Sequence, residues 1–155
     1  MRLFAFIRGS FWGPAVVQNE HLVKLAEKIR DVLTRYPGVA AAYVFGSTAT
    51  GDRKKGGDVD VAVFLREPGD PWDRIEMERE LSVALNADVD LVIFARASSL
   101  LQHEVLRTGV LVYEADPDER IRQEVLARRR YLDERRLPKT IRLPAGPGFS
   151  EEGRG

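Results

Sequence analysis

Two short apolar runs, Val39–Phe45 and Val59–Leu65, limit the possible folds of this chain more than any other feature. Each spans seven residues, too few for a buried helix and the usual length of a buried strand. The dozen or so residues between them have no helical period and are punctuated by Gly46, Gly51, Gly56 and Gly57. Parallel neighbours need a crossover connection, usually a helix, so this spacing predicts an antiparallel pair.

Helical periods flank the pair. Leu22, Leu25, Ile29, Val32 and Leu33 recur at three- and four-residue steps, predicting a helix over 19–36 that Pro37-Gly38 stops. Ile75, Met77, Leu81, Ala84 and Leu85 predict a second helix over 73–85, with Trp72 as a contact at its entry. A third strand is expected over 89–95. Ser99 and Gln102 have the spacing of a capping box for a short helix, which Gly109 is placed to end at C′. Residues 110–113 read as an edge strand. Asp116-Pro117-Asp118-Glu119 opens a last helix with an N-cap, a proline at N1 and an acidic first turn. That helix should run to about Arg136, with Ile121, Val125 and Leu132 as a thin apolar stripe on an otherwise basic surface.

The organisation is one α/β domain over 19–136, with a small mixed sheet of four strands flanked by helices. Residues 1–18 are expected to be a leader and residues 137–155, rich in Gly and Pro, a disordered tail. Without cysteine, the chain can have no disulfide, zinc–thiolate site or cysteine nucleophile. Lys and Arg number 24, as do Asp and Glu, so bulk charge gives no case for direct nucleic-acid or membrane binding. No apolar stretch reaches a membrane span or a signal peptide, and the cytoplasm is the expected compartment.

The chemistry is concentrated around the two strands. Gly46 lets backbone approach an anion without a Cβ in the way, and Ser47 adds a hydroxyl and an N–H, so the pair can hold phosphate oxygens. The loop is no Walker A motif, since its Gly-Lys-Ser/Thr ending is missing. Asp58 and Asp60, two apart at the head of a strand, project to one face. Two like charges so close are costly unless a cation lies between them, and hard oxygen ligands suit Mg²⁺ or Mn²⁺. Asp90, opening the third strand, can join them if that strand lies beside the second. Asp88 shares its face and is the alternative third ligand. Three carboxylates beside a phosphate-binding turn are the parts of a two-metal phosphoryl or nucleotidyl transfer site.

GSTATGDRKKGGDVDVAVF resembles the GSxARGxxxxxSDxD motif of the minimal nucleotidyltransferases of the DNA polymerase β-like superfamily. The resemblance extends over roughly residues 20–133 and takes in the DLV around Asp90 and Arg130-Tyr131-Leu132-Asp133 in the last helix. Small members of this kind resemble the antitoxins of HEPN–MNT toxin–antitoxin pairs. The resemblance implies the nucleotidyltransferase fold, ATP as co-substrate, two Mg²⁺ ions and transfer of AMP to a tyrosine of a HEPN ribonuclease toxin. Gly46 and Ser47 would hold the ATP phosphates. Asp58 and Asp60 would hold both metals, and Asp90 would complete the site that activates the incoming hydroxyl. The partner would be encoded by the adjacent gene and form a hetero-oligomer with this chain.

Two positions depart from the motif: Thr50 stands where arginine is usual, and Gly57 replaces the serine before the first aspartate. Arg53, Lys54 or Lys55 could supply the missing cation. His21 and His103 are read as structural or solvated. The basic last helix with Tyr131 is read either as a partner surface or as a plain solvated face. Two other functions fit the same residues: a small-molecule nucleotidyltransferase of the aminoglycoside-modifying type, and an antitoxin that acts by binding alone.

Overall fold

A computed structural model describes residues 19–51 and 57–136. The expected leader, the expected tail, and Arg53, Lys54 and Lys55 lie outside the described residues. The order is α1 (Glu20–Leu33), β1 (Val39–Phe45), α2 (Ser47–Thr50), β2 (Val59–Leu65), α3 (Pro71–Leu85), β3 (Val89–Ile93), a 3-10 turn (Phe94–Arg96), α4 (Ser99–Thr108), β4 (Val110–Glu114) and α5 (Pro117–Arg136).

The sheet runs β3-β2-β1-β4. β1 pairs antiparallel with both β2 and β4, as the short β1–β2 connection requires, while β2 and β3 are parallel with α3 as their crossover. All seven residues of β1 are buried, because helices cover both faces of the sheet. On one side α1 and α3 bring Leu25, Ile29, Leu33, Met77 and Leu81 against Val44, Val61 and Val63. On the other, Phe64 stacks on Phe94 with ring centroids 4.1 Å apart, beside Tyr43, Val105 and Ala127. Bulges on β1 next to Val39 and Ala42 break strict alternation, and Ala40 and Ala41 fall in the same cluster.

Local chemistry sets the ends of the helices. Asn19, Asp70, Ser98 and Asp116 each accept a backbone N–H of the first turn that follows. α1 stops at Leu33, three residues before the expected end, because Pro37 drives Tyr36 out of the helical region. α3 starts at Pro71, with Asp70 as its cap, two residues earlier than its apolar period suggested. Ser98 caps α4 in place of Ser99, which bonds Glu134 of α5, while Gln102 donates to the Phe94 carbonyl. The Ser99–Gln102 capping box is therefore not formed. Gly109 ends α4 with an extended backbone (φ −70°) and not a left-handed one. Space is the reason for glycine there, since a Cβ would lie 2.2 Å from the Val105 carbonyl oxygen and 3.0 Å from the Tyr43 ring. The third strand ends at Ile93, and the chain turns inward to bury Phe94.

Three apolar assignments reverse. Trp72 makes no entry contact; it is 74% exposed, and Ile75 of the expected inner face is also exposed. The Ile121, Val125 and Leu132 stripe of α5 faces outward, and the helix buries Gln123, Glu124 and Ala127 instead. Polar groups on the sheet side account for this. Gln123 donates to the Leu65 carbonyl, and the Tyr43 hydroxyl donates to Glu124 across 2.5 Å. Arg120 ties the same carboxylate at 2.6 Å and also bonds Glu114.

Candidate active site

The strand register brings the sequence-selected residues together at one end of the sheet. Asp60 of β2 stands opposite Phe45 at the end of β1, and opposite Asp90 on β3. Asp60 and Asp90 lie on the sheet face that carries Phe64 and Val92, the α4/α5 side. Gly46 follows Phe45 directly and has φ +67°. A Cβ there would come within 2.8 Å of the Asp60 carboxylate oxygen. Glycine is thus required twice at this position, for its left-handed backbone and for the close approach of a carboxylate. The Gly46 carbonyl accepts from Ala49 and Thr50, each at 3.2 Å, and closes the one-turn helix α2. Residues 46–57 were expected to be loop throughout; the α2 turn fixes the part next to the aspartates. The Gly46 N–H donates to the Thr108 hydroxyl at 3.3 Å, and that hydroxyl donates to the Glu104 carbonyl, so α4 holds the loop from the other side. Thr108 is a site-positioning residue that sequence reasoning missed; nothing in its local spacing marks it.

Ser47 is exposed at the start of α2, and Thr48 behind it is buried. Asp58 is exposed, Asp60 half-buried and Asp90 exposed. Burial is the main reason the Asp60 carboxyl is held above the ordinary carboxylate range, with the nearby charges of Asp90 and Asp58 adding to it. Asp88 does not act on Asp60. Its carbonyl accepts the Val59 N–H at 2.8 Å, and the residue is exposed and lines an open groove with Gly57.

Among the described residues no group of three or more acidic or histidine side chains stands in ready metal-holding geometry. The chemistry of the donor set nonetheless fits a hard divalent cation: Asp60 and Asp90 are register partners on adjacent strands, Asp58 precedes the first of them, and Asp60 is destabilised as an anion by burial and then by the charges of Asp90 and Asp58. His21 is exposed on α1. His103 stacks on Tyr131, with centroids 3.9 Å apart and rings 3° from parallel, and joins α4 to α5 away from the aspartates. A cavity of about 300 Å³ lined by Tyr36, Val39, Leu65, Met77 and Ile93 lies at the opposite end of the sheet and contains none of the site residues.

The polymerase beta nucleotidyltransferase family model matches residues 27–118, which span β1 to β4 and include Asp58, Asp60 and Asp90. The chain belongs to this nucleotidyltransferase family. It is 31% identical over 98 residues to the protein adenylyltransferase MntA of Shewanella oneidensis, covering 63% of this chain and 68% of that one. A solved toxin–antitoxin structure with AMP-PNP superposes with a TM-score of 0.64 at 29% identity, over 71% of this chain and 89% of its own. A structure of the tri-AMPylated Shewanella oneidensis HEPN toxin with its MNT antitoxin gives 0.60 at 27% identity, over 74% and 89%. The chain is a nucleotidyltransferase, with the mixed four-stranded sheet of that fold. No helix among the described residues is long and apolar enough to cross a membrane.

Proposed function

We propose that this nucleotidyltransferase transfers AMP from ATP to a tyrosine hydroxyl of a HEPN-family protein encoded beside it, and so acts as its antitoxin in the cytoplasm. The observation that carries the reading is the register that sets Asp60 between Gly46 and Asp90. That register supports a single site made of a phosphate-sized backbone turn and three carboxylates. The likeness to protein adenylyltransferase MntA and to toxin–antitoxin complexes supports the choice of acceptor.

In this reading Gly46 and Ser47 hold the triphosphate oxygens through backbone N–H groups and the Ser47 hydroxyl. Asp58 and Asp60 would hold Mg²⁺, and Asp90 would complete the set. Mg²⁺, when bound, would neutralise the carboxylates and the charge on the attacking hydroxyl oxygen and the leaving phosphate oxygen. Asp90 lies on the outer strand and is exposed, so it is the carboxylate an incoming hydroxyl meets. It orients the hydroxyl and takes its proton as the oxygen attacks the α-phosphorus. The bond from that phosphorus to the β-phosphate's bridging oxygen breaks, and pyrophosphate leaves with the electron pair. Thr50 in place of arginine leaves this assignment of roles unchanged, because none of them passes through residue 50.

The test is incubation of the chain with the neighbouring gene's purified product, ATP and Mg²⁺, followed by intact-mass and peptide mass spectrometry. Adducts of one or more AMP units on a tyrosine, absent with Asp58→Ala plus Asp60→Ala, are expected. No adduct with the wild type would refute the proposal.

A further inference from the structure

Gly46 has no side chain to hold its backbone, so the two peptide planes that flank it decide where the turn points. The plane after it is fixed by α2, because the Gly46 carbonyl accepts from Ala49 and Thr50, each at 3.2 Å. In a trans peptide the N–H points opposite to the C=O. The Ser47 N–H shares that plane, so it points out of α2, away from the helix bonds, and it has no partner among the described residues. The plane before Gly46 is fixed from α4, since its N–H donates to the Thr108 hydroxyl. The two planes together set the Gly46 torsions, φ +67° and ψ −147°. Those torsions decide how the Ser47 N–H stands relative to the Asp60 carboxylate, which a Cβ on Gly46 would meet at 2.8 Å.

Thr108 is itself held in place. Its hydroxyl gives its single proton to the Glu104 carbonyl at 3.0 Å, which leaves only lone pairs to face the Gly46 N–H. Gly109, the next residue, lies close against Tyr43: a Cβ there would be 3.0 Å from the ring. The Gly109 N–H donates to the Val105 carbonyl at 2.8 Å. The Tyr43 hydroxyl in turn donates to the buried Glu124 carboxylate of α5 at 2.5 Å. The end of α4 is thus seated on a ring that α5 fixes. A threonine in a helix commonly bonds the carbonyl four residues back and does nothing more. Here the same hydroxyl also reaches across 62 positions to the residue packed against Asp60.

We infer that Thr108 is a positioning residue for nucleotide binding. By holding the Gly46 N–H it aims the Ser47 N–H at the phosphate oxygens, so affinity for the triphosphate is set from α4, outside the loop that touches it. The inference rests on the reading of Gly46-Ser47 as the phosphate turn, and it gives the two residues unequal parts. Ser47 presents the open backbone donor, while the Gly46 N–H is shared with Thr108.

Thr108→Val keeps the branched shape and removes the acceptor, whereas Thr108→Ser keeps the acceptor. Calorimetric titration of the full chain with AMP-PNP and Mg²⁺ reads the consequence. Thr108→Val should raise the Kd about fivefold, the size expected from one hydrogen bond, and Thr108→Ser should restore it to within about twofold of the wild type. Hydrogen exchange at the Gly46 amide should quicken about tenfold in Thr108→Val and not in Thr108→Ser. A Thr108 that serves only α4 would alter exchange within α4 and leave Gly46 unchanged. Thr108→Ala gives the same comparison if Thr108→Val does not fold, which urea titration checks. Unchanged AMP-PNP affinity in the acceptor-free variant, unchanged Gly46 exchange, or an equal loss of affinity in Thr108→Ser would overturn the inference. A wild type that binds AMP-PNP but modifies no protein would sink the adenylylation reading and leave Thr108 in its role. A wild type that binds no AMP-PNP would overturn both.

Discussion

At the scale of single residues, Gly46 is the position where backbone, sterics and charge meet. Gly46→Ala forces a Cβ into a left-handed backbone and to within 2.8 Å of Asp60. We expect loss of at least a hundredfold in transfer rate, with a stability cost of about 1–3 kcal/mol from the backbone conformation alone; single-turnover kinetics and urea titration separate the two. Gly109→Ala is the contrasting case. Its Cβ would collide with a helix carbonyl that cannot move away, so the cost is about 3 kcal/mol or more and falls on folding, not on nucleotide affinity. Tyr43→Phe removes one of the partners of the buried Glu124 carboxylate and leaves Arg120 in place. A loss of about 1–2 kcal/mol is expected in chemical denaturation. The aspartates and Gly46-Ser47 were legible in the sequence because strand parity and a short loop dictate where their side chains go. Thr108 was not, since its hydrogen bond to Gly46 spans 62 positions and depends on how α4 packs.

At the scale of elements, strands were easier to read than helix faces. β1 and β2 match the bounds of their apolar runs residue for residue, because a strand buried on both faces is built of apolar side chains, with Asp60 as the one charged residue at the site end of β2. Helix orientation depends on what the sheet offers. α5 turned its Gln123–Glu124 side inward because Leu65 and Tyr43 of the sheet present groups that need hydrogen-bond partners, and a count of apolar residues cannot register those. Leu132→Ser and Ile121→Ser should accordingly change stability by less than about 0.5 kcal/mol, as surface substitutions do. An inward stripe would have cost several times more. The outer edge of β3 gives a second element-scale expectation. Glu78 and Arg74 occupy the Leu91 backbone groups that another strand would otherwise pair with. Glu78→Ala should lower stability by about 1 kcal/mol and increase self-association on mild heating, read by light scattering.

At the scale of the whole molecule, the fold is a device for bringing three carboxylates and one tight turn to the same end of a sheet. Antiparallel pairing of β1 and β2 puts the end of one beside the start of the other; parallel pairing of β2 and β3 then sets Asp90 opposite Asp60. α3 makes that parallel crossover. The proposed role of these carboxylates is to support transfer of AMP to a protein partner. The most direct measurement is intact-mass spectrometry of the neighbouring HEPN-family protein after incubation with this chain, ATP and Mg²⁺, comparing wild type with Asp90→Asn. The account predicts AMP-sized increments on a tyrosine with the wild type and at least a hundredfold slower appearance with Asp90→Asn. Equal modification by the two proteins, or none by the wild type, would contradict it.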